Sequence, residues 1–186
     1  MIKYMAEVLD IYTEHDEPTG QTKLRSDIHK DGDWHRTVNV YVVNEKGEYL
    51  VLLCPPPRGL DSQVWGTRFG GHVSAGQTYD EAVVREFKEE TGLSVALADF
   101  TSLGIYPFER NSWNREHTKI FYYLFTGDIK NLTLDPEEVV RVEWMSAQEI
   151  IDSMQQQTRQ WATTHSDFEF VNSFYQKAYP AGLRRL

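Results

Sequence analysis

Residues 37–43 (TVNVYVV) alternate in side-chain character and are β-branched, which predicts a strand with distinct faces. Asn44-Glu45-Lys46-Gly47 then reads as a hairpin turn into a second strand over residues 49–53, and Pro55-Pro56-Pro57-Arg58-Gly59 breaks it. Upstream, residues 6–12 (AEVLDIY) predict a strand, residues 14–20 (EHDEPTG) a turn, and residues 21–24 a second short strand. Residues 63–70 lead through a short strand into a helix over 78–91, where apolar Val83, Val84 and Phe87 share one side. Further strands are expected at 94–98, 101–108, 118–126 and 139–145. Ser146-Ala147-Gln148-Glu149 has the form of a capping box opening a helix to Gln156, and residues 168–178 form a last helix. Strands interrupted by two or three helices fit an α/β fold of mixed α+β kind, a mixed sheet sandwiched between helices.

No repeat, low-complexity tract or linker divides the 186 residues, so a single domain is expected. Within it, residues 1–36 form an N-terminal strand and loop extension, 37–150 the core, and 151–186 the C-terminal helices. The 28 acidic residues outnumber the 19 basic ones, for a net charge of −9, which argues against binding a nucleic-acid backbone. The single cysteine, Cys54, excludes an intrachain disulfide and a cysteine-rich zinc site. No apolar run approaches the roughly 20 residues of a membrane span, and the first residues, MIKYMAEVLDIYTEHDE, lack the basic-then-apolar form of a secretory signal. A cytoplasmic protein with no membrane or nucleic-acid partner is the expectation.

The chemistry concentrates in residues 71–93, GHVSAGQTYDEAVVREFKEETGL. Glu86, Glu89 and Glu90 stand at i, i+3 and i+4 and share one helix face, although like charges at that spacing weaken a helix. A hard divalent cation offsets that cost: Mg²⁺ takes oxygen ligands and bridges carboxylates to substrate phosphates. Asp80 and Glu81 suit the positive end of the helix dipole, Gly92 suits its C-cap, and Arg85 lies four residues before Glu89 and can orient it. Gly70-Gly71 allows close backbone approach, and a carbonyl there, that of Gly71 above all, is a further metal ligand candidate.

These residues resemble the Nudix box: Gly71, then Gln77 where the family usually has Glu, then Arg85-Glu86-Phe87, Glu89-Glu90 and Gly92-Leu93. The resemblance implies a loop–helix–loop on an α/β/α sandwich with a mixed sheet. It also implies two or three Mg²⁺ or Mn²⁺ ions held by Glu86, Glu89 and Glu90, and hydrolysis of the diphosphate linkage of a nucleoside diphosphate joined to a group X. Gln77 keeps hydrogen-bonding capacity and loses one charge, consistent with weaker metal affinity at an intact site. A small-molecule diphosphate is the implied partner, and the family allows a homodimer through the N-terminal strands. A non-catalytic nucleotide sensor is an alternative, but it predicts erosion of Arg85, Glu86, Glu89 or Glu90, and all four are present.

A second resemblance, to isopentenyl-diphosphate isomerase, rests on TGQTKLRSDIHKDGDWHRTV, VWGTRFGGHV and His72. The isomerases carry an essential cysteine two positions before the histidine; here that position is Gly70. The same resemblance implies that some of His29, His35 and His72 bind a second metal with a glutamate such as Glu116, whereas by themselves His35 and His72 read as hydrogen-bonding residues. The general base for hydrolysis is sought among Glu90, Glu116, Glu137 and Glu138, and the phosphate clamp among Arg36, Arg58 and Arg68. Trp34, Trp65, Tyr106, Phe108, Trp113 and Tyr122 are candidates to stack on a nucleobase, against a bland role in the core.

Overall fold

The strand predicted at residues 37–43 extends over Trp34–Val43 (β3) in a computed structural model that describes residues 7–56, 62–111 and 113–178. Its alternation sorts two cores: Val38, Val40 and Val42 enter one, Tyr41 and Val43 the other. The same division runs through Tyr49–Cys54 (β4), with Leu50 and Leu52 against Tyr49 and Val51. It continues in Asn114–Leu124 (β7), with Phe121 and Tyr123 against Ile120, Tyr122 and Leu124. The first face is covered by the helix Tyr79–Thr91 (α2), which contributes Ala82, Val83 and Phe87. The second is covered by Ala147–Gln155 (α3) and His165–Ala178 (α4), through Ile150, Phe168, Val171 and Tyr175. The result is the expected mixed α/β sandwich of helix, sheet and helix.

The remaining strands are Val8–Tyr12 (β1), Pro18–Leu24 (β2), Val64–Gly66 (β5), Phe100–Asn111 (β6) and Arg141–Met145 (β8). β3 and β7 pair in parallel over ten residues, and the other strand pairs are antiparallel. Along its other edge β3 meets β1 at Trp34 and β4 at Val43. Between those contacts the stretch 69–73 is laid against it: Val40 N–H donates to Phe69 O at 2.8 Å, Val38 N–H to Gly71 O at 2.9 Å, and Val73 N–H to Arg36 O at 2.9 Å. The approach to α2 is thereby stitched into the middle of the sheet.

Two expectations are corrected. Residues 94–98 form no strand; they run irregularly into a 3-10 turn at Leu97–Asp99, where the Asp99 carboxylate accepts from Ala96 N–H at 3.0 Å and competes with sheet pairing. A short helix, Arg25–Asp31 (α1), follows β2 where no element was expected, closed by Gly32 at φ 74° and anchored by the single buried residue Ile28. One apolar residue in seven leaves no periodicity to read. Arg58 lies outside the described residues. No helix among the described residues is long and apolar enough to cross a membrane.

α2 begins at a complete capping box, with Glu81 N–H donating to Thr78 Oγ1 and Thr78 N–H to the Glu81 carboxylate at 2.9 Å. Thr78→Ala is expected to cost about 1 kcal/mol and lower the thermal midpoint by about 2–4 °C; an unchanged midpoint in a thermal melt would show that packing alone holds this helix start.

Candidate active site

α2 presents Glu86, Glu89 and Glu90 to a cavity of about 1310 Å³ that runs from α1 to the segment before α4. Glu86 and Glu90 are buried, and Glu89 is partly exposed. Arg85 ties the cluster together: Nη1 lies 2.8 Å from Glu86 and 3.2 Å from Glu89, while Nη2 donates to His72 O at 3.0 Å and to Gln77 Oε1 at 3.3 Å. Gln77 Oε1 also accepts from Ser74 N–H at 3.3 Å. An amide oxygen therefore fills this bracing role without the family's usual charge.

Glu90 is fixed from two sides. Its Oε2 accepts from Gly70 N–H at 2.7 Å, and its carboxyl is hydrogen-bonded to Glu138. Burial pushes the Glu90 pKa well above the carboxylate range, and the charges of Glu138 and Glu86 add to that, while the Gly70 N–H opposes it. Two carboxyl groups in such contact share a proton or a cation. Glu138 reaches this place because its loop docks on the end of α2: Thr133 N–H donates to Thr91 O at 3.0 Å and Asp135 N–H to Glu90 O at 3.4 Å.

The backbone requires a glycine at position 70. Gly70 has φ 126°, and a Cβ there would run into the carbonyl oxygen of Val38. At Gly71 a Cβ would fall 2.8 Å from the Glu86 carboxylate. The Gly71 carbonyl accepts from Val38 N–H, which leaves one lone pair for a cation. Gly70 is therefore a position that admits no side chain.

His29, His35 and His72 come together, with one ligand atom from each lying within 4.8 Å of the others. His29 Nε2 and His72 Nε2 lie 3.3 Å apart, so the arrangement accommodates both the hydrogen-bonding reading of His35 and His72 and the convergence that the isomerase resemblance implies. His35 Nδ1 lies 3.1 Å from Asp33 O, which makes it the donor and leaves the buried Nε2 as a lone pair without a hydrogen-bond partner. Burial lowers the pKa of all three below 6.5, most strongly at His72, and the Glu116 charge opposes this at His29 and His35. Neutral imidazoles with an orphaned buried nitrogen suit a divalent transition metal better than Mg²⁺.

The cavity gathers Glu116, Glu137, Glu138, Arg68 and Gly71 with the box glutamates. It does not gather Arg36, whose Nε pairs with Asp16 at 2.7 Å and whose guanidinium stacks 3.8 Å over Tyr12. None of the six aromatic candidates lines it: Trp65 and Tyr122 are core, Trp34 stacks on His117 at 4.5 Å, Tyr106 and Phe108 pack on Phe170, and Trp113 is exposed. Arg25, Asn39 and Thr163 do line it and were not singled out from sequence; for Arg25, the first residue of a short helix with no readable periodicity, no signal was readable.

The sequence pattern of the NUDIX domain matches residues 33–165. The chain belongs to the Nudix family. As a Nudix pyrophosphohydrolase it acts on a diphosphate-containing substrate. It is 27% identical over 143 residues to an uncharacterized Nudix hydrolase of Listeria monocytogenes, covering 76% of this chain and 80% of that protein. Nudix hydrolase 3 of Arabidopsis thaliana is 29% identical over 156 residues, 77% of this chain but 20% of the plant protein. An isopentenyl-diphosphate Delta-isomerase of Pectobacterium atrosepticum is 28% identical over 142 residues, covering 76% of this chain and 77% of that one. The crystal structure of DR0079 from Deinococcus radiodurans shares the fold, with a TM-score of 0.72 at 22% identity over 91% of this chain and 99% of that one.

Gly70→Ala is expected to destabilise the protein by about 2–4 kcal/mol, from strain at positive φ and collision with β3; urea melts that match wild type would refute this close approach. The histidines give a pH signature. Their folded pKa values lie below the unfolded value of 6.5, so the unfolded chain binds more protons and stability falls as pH drops below 6.5. The raised Glu90 pKa works in the opposite sense, its stabilisation fading as pH rises. In chelator-treated Glu90→Gln protein, the thermal midpoint is therefore expected to fall between about pH 7.5 and pH 5.5, and a flat profile would contradict the neutral, buried triad.

Proposed function

We propose that this chain is a divalent-metal-dependent hydrolase that cleaves the diphosphate linkage of a nucleoside diphosphate joined to a group X, or of a related diphosphate. The observation that carries the reading is the joint placement of Glu86, Glu89, Glu90 and Glu138 in one cavity, with Glu90 pinned to Gly70 N–H and touching Glu138. When bound, Mg²⁺ or Mn²⁺, in two or three ions, supplies charge neutralisation and Lewis-acid polarisation of the diphosphate. Glu86, Glu89 and Glu90 hold the cations, with the free lone pair of the Gly71 carbonyl as a further ligand. Arg85 keeps Glu86 and Glu89 from moving apart when the cavity is empty of cations, which reduces the reorganisation needed on binding.

Glu138 is the general base in this reading: it reaches Glu90 from a separate loop and can take the proton of the attacking water. Glu116, beside the histidines, is the competing base. Arg68 lines the same cavity and is a candidate to meet an anionic group of the substrate.

A second reading is favoured by the histidine cluster with Glu116: a second metal there, and isomerase-like chemistry on isopentenyl diphosphate. The backbone at Gly70 weighs against it, because a carbon acid–base reaction needs a group on each face and this position carries none.

The test is product release from nucleotide sugars, dinucleotides, nucleoside triphosphates and isopentenyl diphosphate with Mg²⁺ or Mn²⁺. Turnover of at least one diphosphate is expected, with kcat falling about 10²–10³-fold in Glu89→Gln and in Glu90→Gln. Tight nucleotide binding with no turnover would instead identify a sensor, and isomer formation from isopentenyl diphosphate would replace hydrolysis as the reading.

A further inference from the structure

Among the described residues, three arginines line the cavity, and two are neutralised within it: Arg25 pairs with Glu7 at 3.2 Å, and Arg85 with Glu86 and Glu89. Arg68 forms no ion pair among the described residues. Its Nη1 donates instead to Thr163 Oγ1 at 3.0 Å, and that hydroxyl lies 3.0 Å from Thr67 Oγ1. Thr67 and Thr163 are both buried, so the anchor is built rather than incidental.

The anchor comes from a segment that is bound to the sheet in its own right. Trp65 N–H donates to Gln160 O and Ala162 N–H to Trp65 O, both at 2.8 Å, which adds residues 160–162 to β5 as a short parallel partner. Trp161 packs in the core under α3 and α4, on the opposite side of the sheet from α2. Arg68 and Thr163 line the cavity that also holds Glu86, Glu89 and Glu90, so the anchor comes from a segment other than the helix that carries the glutamates. Arg68 remains within electrostatic reach of them, since the thiol of Cys54 is lowered by Arg68 and raised by Glu90 and Glu138 around a pKa that burial sets near 11. A half-buried guanidinium without a carboxylate, in a cavity otherwise rich in carboxylates, is costly unless an anion arrives to use its unspent donors.

We infer that Arg68, oriented by Thr163, binds an anionic group that the substrate carries in addition to the two phosphoryl groups taken by the glutamate cluster. The favoured substrates then bear a third phosphoryl group or a phosphorylated X. This rests on the proposed hydrolase reading for the identity of the first two groups. Arg68 is a specificity-determining residue and Thr163 a positioning residue, acting only through the guanidinium.

The test uses full-length protein with Mg²⁺ and two simple probes, pyrophosphate and tripolyphosphate, whose dissociation constants are measured by calorimetry. Wild type is expected to prefer tripolyphosphate, and Arg68→Gln to shrink that preference by about tenfold, the equivalent of one or two charge-assisted hydrogen bonds. Thr163→Val should shrink it several-fold and Thr163→Ser restore it, a rescue that a packing role for the threonine would not produce. If Arg68→Gln weakens both probes equally, Arg68 holds the cleaved diphosphate itself and the inference falls; an unchanged preference overturns it as well. Loss of turnover on every diphosphate, with the Arg68-dependent preference intact, would remove the hydrolase reading and leave the anion site standing. Turnover without that preference would do the reverse.

Discussion

Backbone without side chains, pressed between a strand and a helix, is the constraint on which the rest of the site depends. Residues 69–73 lie hydrogen-bonded along β3, and at Gly70 the chain passes so close to Val38 that no Cβ can be accommodated. That passage turns Gly70 N–H onto Glu90 and sets Gly71 against the Glu86 carboxylate. Two buried glutamates on α2 thereby gain a fixed relation to the sheet. Without it, mutually repelling carboxylates on one helix face would have reason to splay toward water.

Arg85 and the loop carrying Glu138 extend the same logic outward. Arg85 joins the box glutamates to the carbonyl of His72 and to Gln77, so the helix and the stretch before it move as one body. The Glu138 loop is pinned to the C-terminal end of α2 through Thr91. Glu86 and Glu89 thus share the Arg85 guanidinium, and Glu90 is held by Gly70 N–H and Glu138, which limits the mutual repulsion of the carboxylates.

The histidine cluster and the glutamate cluster meet at one stretch of chain. His72 follows Gly71 directly, its carbonyl bracing Arg85 while its ring joins His29 and His35. A single residue therefore contacts both clusters. Membership of a family in which relatives carry hydrolase and isomerase names is compatible with this arrangement.

By itself the sequence determined the layers and the catalytic helix. Alternation in β3 and β4 sorts side chains to opposite faces whatever the rest does, and the spacing of Glu86, Glu89 and Glu90 places them on one face of any helix they form. The capping residues Thr78, Glu81 and Gly92 act within a few residues of themselves, so they too were legible in advance. What only the tertiary structure decided involves groups distant in sequence. These are the meeting of His29, His35 and His72, the contact of Glu138 with Glu90, the diversion of Arg36 to Asp16, and the packing of Trp65 and Tyr122 into the core. Even the strand expected at 94–98 was lost to a local carboxylate cap. Local periodicity reports which face a residue occupies; it carries no record of which other segment is folded against that face, and that is set by how the whole chain packs.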